Sequence, residues 1–280
     1  MRQFLDPRDW LSMSFDVLLS DGYEVGSAAS LSQELDQIFL ERAAAGNINA
    51  MIILGFRREH RKSMDASYTD AHQWYSRAAA AGSAPAMYRL GLNYDLGHGV
   101  YRDVVEAANW YRQGAECGDA IAMRFIARCY ENGHGVARDK SEAHQWYNAS
   151  AHGGDVFSMR YLGEHFINDS QPEVDASLAV EWLRKASAAG DAPSKLFLAT
   201  ACERGLGVEV DQREAQLLVR SAAEAGSSKA MYILSDRLRQ EAESNSDLLD
   251  AKFWYEKASR AGENVIDWFR FSELSGEEAF

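Results

Sequence analysis

The side chains with the most chemical potential are two histidines and three cysteines. His98 and His134 stand in the same short motif, Gly-His-Gly-Val, 36 residues apart. Two imidazoles on neighbouring turns suggest a divalent metal. Zinc, however, needs three or four donors converging on one point. Turns on adjacent packed helix pairs sit roughly 10 Å apart, and no carboxylate or cysteine near either histidine in sequence completes a set. Both histidines are therefore expected to be structural or exposed, and His72 and His144, each followed by Gln-Trp-Tyr, to be surface residues. Cys117, Cys129 and Cys202 are odd in number and irregular in spacing, which is not a disulfide framework. Cys129 and Cys202 read as small buried hydrophobes. There is no P-loop, no nucleophile elbow, no His-Glu-x-x-His and no Cys-x-x-Cys. Residues 97–102, GHGVYR, lack the glycine spacing and preceding strand of a dinucleotide turn. No metal, no cofactor and no catalytic residue are expected, and the chain reads as a non-enzyme.

The elements that would carry such side chains announce themselves by period. Gly46, Gly82, Gly118, Gly154, Gly190, Gly226 and Gly262 are each 36 residues from the next. Trp74, Trp110, Trp146, Trp182, Leu218 and Trp254 keep the same step, as do Ala71, Ala107, Ala143, Ala179, Ala215 and Ala251. Columns in one phase at a period of 20–50 residues mark a tandem structural repeat. Six units begin at Ala50, Ala86, Ala122, Ser158, Ser194 and Ala230.

One unit shows the physical logic. Ala86, Leu90, Gly91 and Tyr94 recur at helical spacing on one face. A glycine-bracketed turn follows at Gly97 and Gly99. Asp103 with Glu106 three residues later is a capping pattern. The second helix carries Ala107, Trp110, Tyr111 and Ala115 and ends at Gly118, where a left-handed residue is cheap only as glycine. The cap recurs at Asp139 with Glu142 and Asp211 with Glu214, and Asp247 with Asp250 approximates it. A small-residue column, Gly55, Gly91, Ala127, Gly163, Ala199 and Ser235, predicts close approach of the paired helices, with the tryptophan column as core. A lone pair of helices cannot bury its apolar stripe, so neighbours must stack.

The pattern A-x-x-x-L-G-x-x-Y-x-x-G-x-G-V, then D-x-x-x-A-x-x-W, then A-A-x-x-G, resembles the suppressor-of-lin-twelve-like (Sel-one-like) repeat, a branch of the tetratricopeptide superfamily. The resemblance covers residues 50–265. The Gly-x-Gly-Val turn is lost in the first unit (RKSM), the fourth (DSQP) and the sixth (EAES), and Leu218 replaces a tryptophan. The resemblance implies an all-α fold, a right-handed α-solenoid of stacked 36-residue antiparallel helix pairs. Residues 1–49 would form an N-terminal cap with one degenerate repeat (residues 14–49), residues 50–265 six repeats, and residues 266–280, with Trp268 and Phe269, a capping helix and tail.

The resemblance also implies that first helices line a concave groove. Carried onto this chain, three columns step along it. Two positions before the Leu-Gly pair come Tyr88, Arg124, Arg160 and Tyr232. One position after it come Arg128, Glu164 and Asp236. Four positions after it come Asp95, Glu131 and Arg239. Tyrosine and arginine are common interface anchors, so these ten are the candidate partner contacts. The acidic column beside the turn also suits a structural role.

The 280 residues carry 42 acidic against 29 basic groups, a net charge of −13. Phosphate neutralisation needs a basic face, so nucleic acid is not an expected partner, nor is an anionic membrane. A basic protein is compatible. No apolar run has signal-peptide length and no stretch of about 18 apolar residues could span a bilayer. The expectation is a soluble cytoplasmic adaptor. A narrower alternative implied by the resemblance is a bacterial immunity protein that occludes a secreted toxin's active site. A third, a hydrolase of cell-wall or β-lactam substrates, follows from relatives with a cysteine pair in each repeat, against three cysteines in all here.

Overall fold

The computed structural model describes residues 29–60, 64–169, 176–242 and 244–261. Among them the regular structure is thirteen α-helices and no strand. In chain order these are α1 (Ala29–Ala44), α2 (Ile48–Glu59), α3 (Met64–Ala80), α4 (Ala84–Leu96), α5 (Val104–Glu116), α6 (Ala120–Asn132), α7 (Lys140–His152), α8 (Val156–Asp169), α9 (Ala176–Ala188), α10 (Ala192–Arg204), α11 (Gln212–Glu224), α12 (Ser228–Gln240) and α13 (Asn245–Arg260). Contacts divide the chain into two compact units, Met1–Arg138 and Asp139–Phe280. The fold is an all-α repeat. Within each unit consecutive helices pack together, and first helices of successive repeats also meet, α4 with α6 and α8 with α10.

The chain leaves each second helix by one device. Gly46, Gly82, Gly118, Gly154, Gly190 and Gly226 all take positive φ, between 88° and 98°, where any side chain would be strained. The residue after each glycine caps the next first helix, a column the sequence reading overlooked. The side-chain oxygens of Asn47, Ser83, Asp119, Asp155, Asp191 and Ser227 each accept from the backbone N–H three positions on. Each satisfies one of the helix's orphan donors. Asp103, Asp139 and Asp211 cap α5, α7 and α11 as their sequence pattern implies. α13 starts at Asn245, so Asp247 lies inside the helix rather than just before it. In the two units whose lost turn is bordered by described residues, the first and the sixth, the second helix gains extra residues at its N-terminus. α3 begins at Met64 rather than at residue 68, and α13 at Asn245 rather than residue 248.

The core sits where the small column meets the residue after the tryptophan. A Cβ added to Gly91 would fall 2.4 Å from the Tyr111 ring, one at Gly55 2.5 Å from Tyr75, and one at Gly163 2.3 Å from Leu183. Tyr75, Tyr111, Tyr147, Leu183 and Val219 are among the most completely buried side chains. The tryptophan column is shallower than expected. Trp182 and Trp254 are buried, whereas Trp74, Trp110 and Trp146 are only partly so. A residue one step further round the helix faces its paired helix squarely, and the flat indole lies at the margin.

At the N-terminal end, α1 is followed by Gly46 at positive φ, and residues 14–28 of the expected degenerate repeat lie outside the described residues. Gly262, Trp268 and Phe269 also lie outside them.

Candidate functional site

The three columns carried by the first helices have different environments. In the first, Tyr88 and Arg160 reach towards the following repeat. Tyr88 is buried, its ring parallel to Phe125 with centroids 6.3 Å apart and the Arg89 guanidinium 5.1 Å from its centre. Burial pushes its phenol pKa up, against an opposing pull from Arg89. Arg124 is half-buried with its guanidinium 5.0 Å from the Phe125 centroid. Arg160 Nη1 donates at 2.7 Å to Asp191 Oδ1, and Asp191 also caps the next first helix, so this arginine ties two repeats together. Tyr232 is half-buried, with its hydroxyl 3.3 Å from Ser259 and its ring edge-on to Tyr255.

The second column is more open. Arg128 is exposed, 5.9 Å from the Phe125 centroid, and Glu164 is half-buried. Asp236 accepts from Arg239 at 3.0 Å and from Gln240 at 2.8 Å on its own helix. In the third column the acids hold neighbouring repeats. Glu59 accepts from the Tyr75 hydroxyl at 2.8 Å and lies 3.6 Å from Arg89. Asp95 accepts from His134 Nε2 at 2.8 Å, and Glu203 pairs with Arg237. Glu131 is half-buried and not without partners, and Arg239 is exposed. The Asp95–His134 link was invisible in sequence because its ends are 39 residues apart, one on a helix and one on the next repeat's turn.

Two clusters of candidate contacts therefore form, each within its own unit. In the first, Tyr88, Arg124 and Arg128 gather around Phe125, whose ring also stacks with Tyr111 at 4.9 Å. In the second, Tyr232, Asp236 and Arg239 line α12. Arg160 belongs to an inter-repeat tie, and Asp95 to the turn it pins.

The groups that could do chemistry are accounted for by packing. His98 stacks on Tyr68 with ring centroids 4.2 Å apart. Among the described residues no three of His, Cys, Asp and Glu stand close enough together to hold a metal ion. Burial pushes the thiols of Cys129 and Cys202 up to about 11, with neighbouring carboxylates adding to the effect. At neutral pH both are protonated and weak nucleophiles. Cys117 is exposed and free. No described helix is long and apolar enough to cross a membrane.

Comparison with known proteins agrees with this geometry. The Sel1 repeat profile matches residues 48–83, 84–119, 120–155, 156–191, 192–227 and 228–263. Its units share the period read from the sequence and begin two residues earlier. Among solved structures, a Sel1 repeat protein from Oxalobacter formigenes superposes with a TM-score of 0.72 at 29% identity, over 82% of this chain and 94% of that one. A protective antigen of uropathogenic Escherichia coli strains superposes with a TM-score of 0.68 at 31% identity over 81% of this chain. The match spans about half of that protein, 48% of its chain. Against curated proteins the sequence finds no match.

Proposed function

The chain belongs to the Sel1 repeat family, and on that premise we propose that it is a non-catalytic scaffold whose first helices grip a partner protein. Sel1 repeat proteins generally mediate protein–protein interaction. The observation that carries the reading here is the Phe125 cluster. Arg124 and Arg128 flank one aromatic ring on α6, with Arg128 exposed to solvent. Guanidinium groups already ordered against a ring lose little freedom on binding, and arginine and aromatic anchors dominate interface energetics. The test is a pull-down from the source organism, followed by titration calorimetry with the purified partner. Arg124→Ala combined with Arg128→Ala should keep the melting temperature within a few degrees and weaken binding about tenfold or more. Unchanged affinity in a folded double variant overturns the proposal.

Net charge favours one narrower version, a cytoplasmic antidote to a basic secreted enzyme. A charge of −13 would steer a cationic partner and make association slow as salt rises. Stopped-flow association rates that do not change with ionic strength would remove that version and leave the scaffold reading in place.

A further inference from the structure

In the second unit a different surface, on the second helices, departs from the repeat pattern. One column of those helices points outward and reads Gln73, Asn109, Gln145 and Glu181, then Leu217 and Phe253. Leu217 is 61% exposed and Phe253 57%. Only the last two repeats put bare apolar side chains at this position.

A cleft of about 260 Å³ opens beside Leu217, between the first turns of α11 and the last turns of α12. In the second, third and fifth repeats a turn glycine presses onto the start of the preceding second helix. A Cβ on Gly207 would lie 2.3 Å from the Ala176 carbonyl oxygen, and one on Gly99 2.5 Å from that of Tyr68. The sixth repeat carries Glu-Ala-Glu-Ser, residues 241–244, where that turn belongs. The position of that glycine, residue 243, is a glutamate here.

The cleft is lined by Arg213, Arg220 and Arg237 against one acid, Glu241, with Val219 and Leu234 as buried floor. Arg237 is engaged with Glu203. Arg213 and Arg220 are exposed and pair with no described residue. They stand seven residues apart on one face of α11, about 10 Å along the axis, with Leu217 between them. This is a local cationic and apolar site on a chain of net charge −13.

We propose that this cleft docks an acidic amphipathic segment of a partner protein, with carboxylates about 10 Å apart on Arg213 and Arg220 and an apolar side chain between them against Leu217. Charge complementarity selects that occupant. A polyphosphate would meet the acidic remainder of the chain without compensating cations. A symmetric second copy would set arginine against arginine across the two-fold axis. The site uses residues of α11 and α12 that are not among the Phe125 cluster, so it can stand or fall separately.

The probe is a fluorescein-labelled helical peptide of about 15 residues, roughly four turns, with glutamates at i and i+7 around two leucines. Its partner control carries lysines at the same two positions. Fluorescence anisotropy is read with the full chain at about 25 and 150 mM salt. The glutamate peptide should bind, more weakly at the higher salt, and the lysine peptide should not. Arg213→Glu with Arg220→Glu should weaken binding about tenfold or more, and Leu217→Gln several-fold. All three side chains are exposed, so circular dichroism melts should be unchanged. Lys140→Glu, an exposed cation outside the cleft lining, should bind like the native chain. Equal loss with Lys140→Glu, or equal binding of the lysine peptide, overturns the proposal. So does tighter binding of a thymidine oligonucleotide than of the glutamate peptide. So does a dimer in sedimentation velocity that Leu217→Gln dissolves, because the occupant would then be a second copy.

Discussion

The second and sixth repeats are written in the same register yet solve the same packing problem differently. In the second, Gly91 lets the Tyr111 ring lie directly on α4, and the tyrosine is buried to 1% while Trp110 is only partly covered. In the sixth, Ser235 occupies the glycine's place and donates to the Ala251 carbonyl oxygen at 2.8 Å. Tyr255 is then half-buried, edge-on to Tyr232, and Trp254 takes the buried role. Ser235 with the buried Trp254 thus stands where the second repeat has Gly91 with the buried Tyr111 as the wedge between its paired helices. The second repeat also keeps its glycine turn, whereas the sixth has Glu-Ala-Glu-Ser in its place. The cleft lies between the second helix of the fifth repeat and the first helix of the sixth.

Replacing the wedge tests the comparison most severely. Tyr111→Ala should cost about 3–5 kcal/mol in urea unfolding, and Tyr255→Ala about 1 kcal/mol. Comparable losses would mean that the small column does not select the wedge. A smaller contrast lies in the caps. Asp103→Ala should cost about 1 kcal/mol, since its carboxylate accepts from Val105 and Glu106, and Asp247→Ala only a few tenths, since it sits inside α13. Equal effects would place a cap where none is drawn. The smallest effect is in pH. His72 stands behind the second repeat, against Asn93 and Tyr94, at the position Gln216 holds behind the sixth. Burial lowers its pKa from 6.5. The unfolded chain therefore takes up a proton that the folded chain resists. Stability from this group is complete above pH 6.5 and declines as pH falls through that value. His72→Gln should flatten that part of the stability profile. A profile between pH 7 and 5 identical to the native chain's would remove the histidine from it.

Periodicity made much of this legible without coordinates. A glycine column, two alanine-rich faces and three well-formed caps are each local rules, repeated often enough to be read. The cap column at Asn47, Ser83, Asp119, Asp155, Asp191 and Ser227 obeys a local rule too, and was missed only because serine, asparagine and aspartate disguise it as variation. The candidate contacts were harder. Tyr88 and Arg160 have the residue types of an interface, but one is buried against Phe125 and the other holds Asp191. The type of a side chain does not reveal whether a neighbouring repeat has already claimed it.

The sequence by itself determined the helical period, the stop glycines, the capped turns and the family, because each depends on residues within one helical turn or one repeat of each other. The tertiary structure alone decided which aromatic forms the wedge, which acids pin the next repeat, and where a cleft opens between α11 and α12. Those outcomes depend on distances of 2–4 Å between residues 16 to 39 positions apart. Spacing along the chain does not encode them.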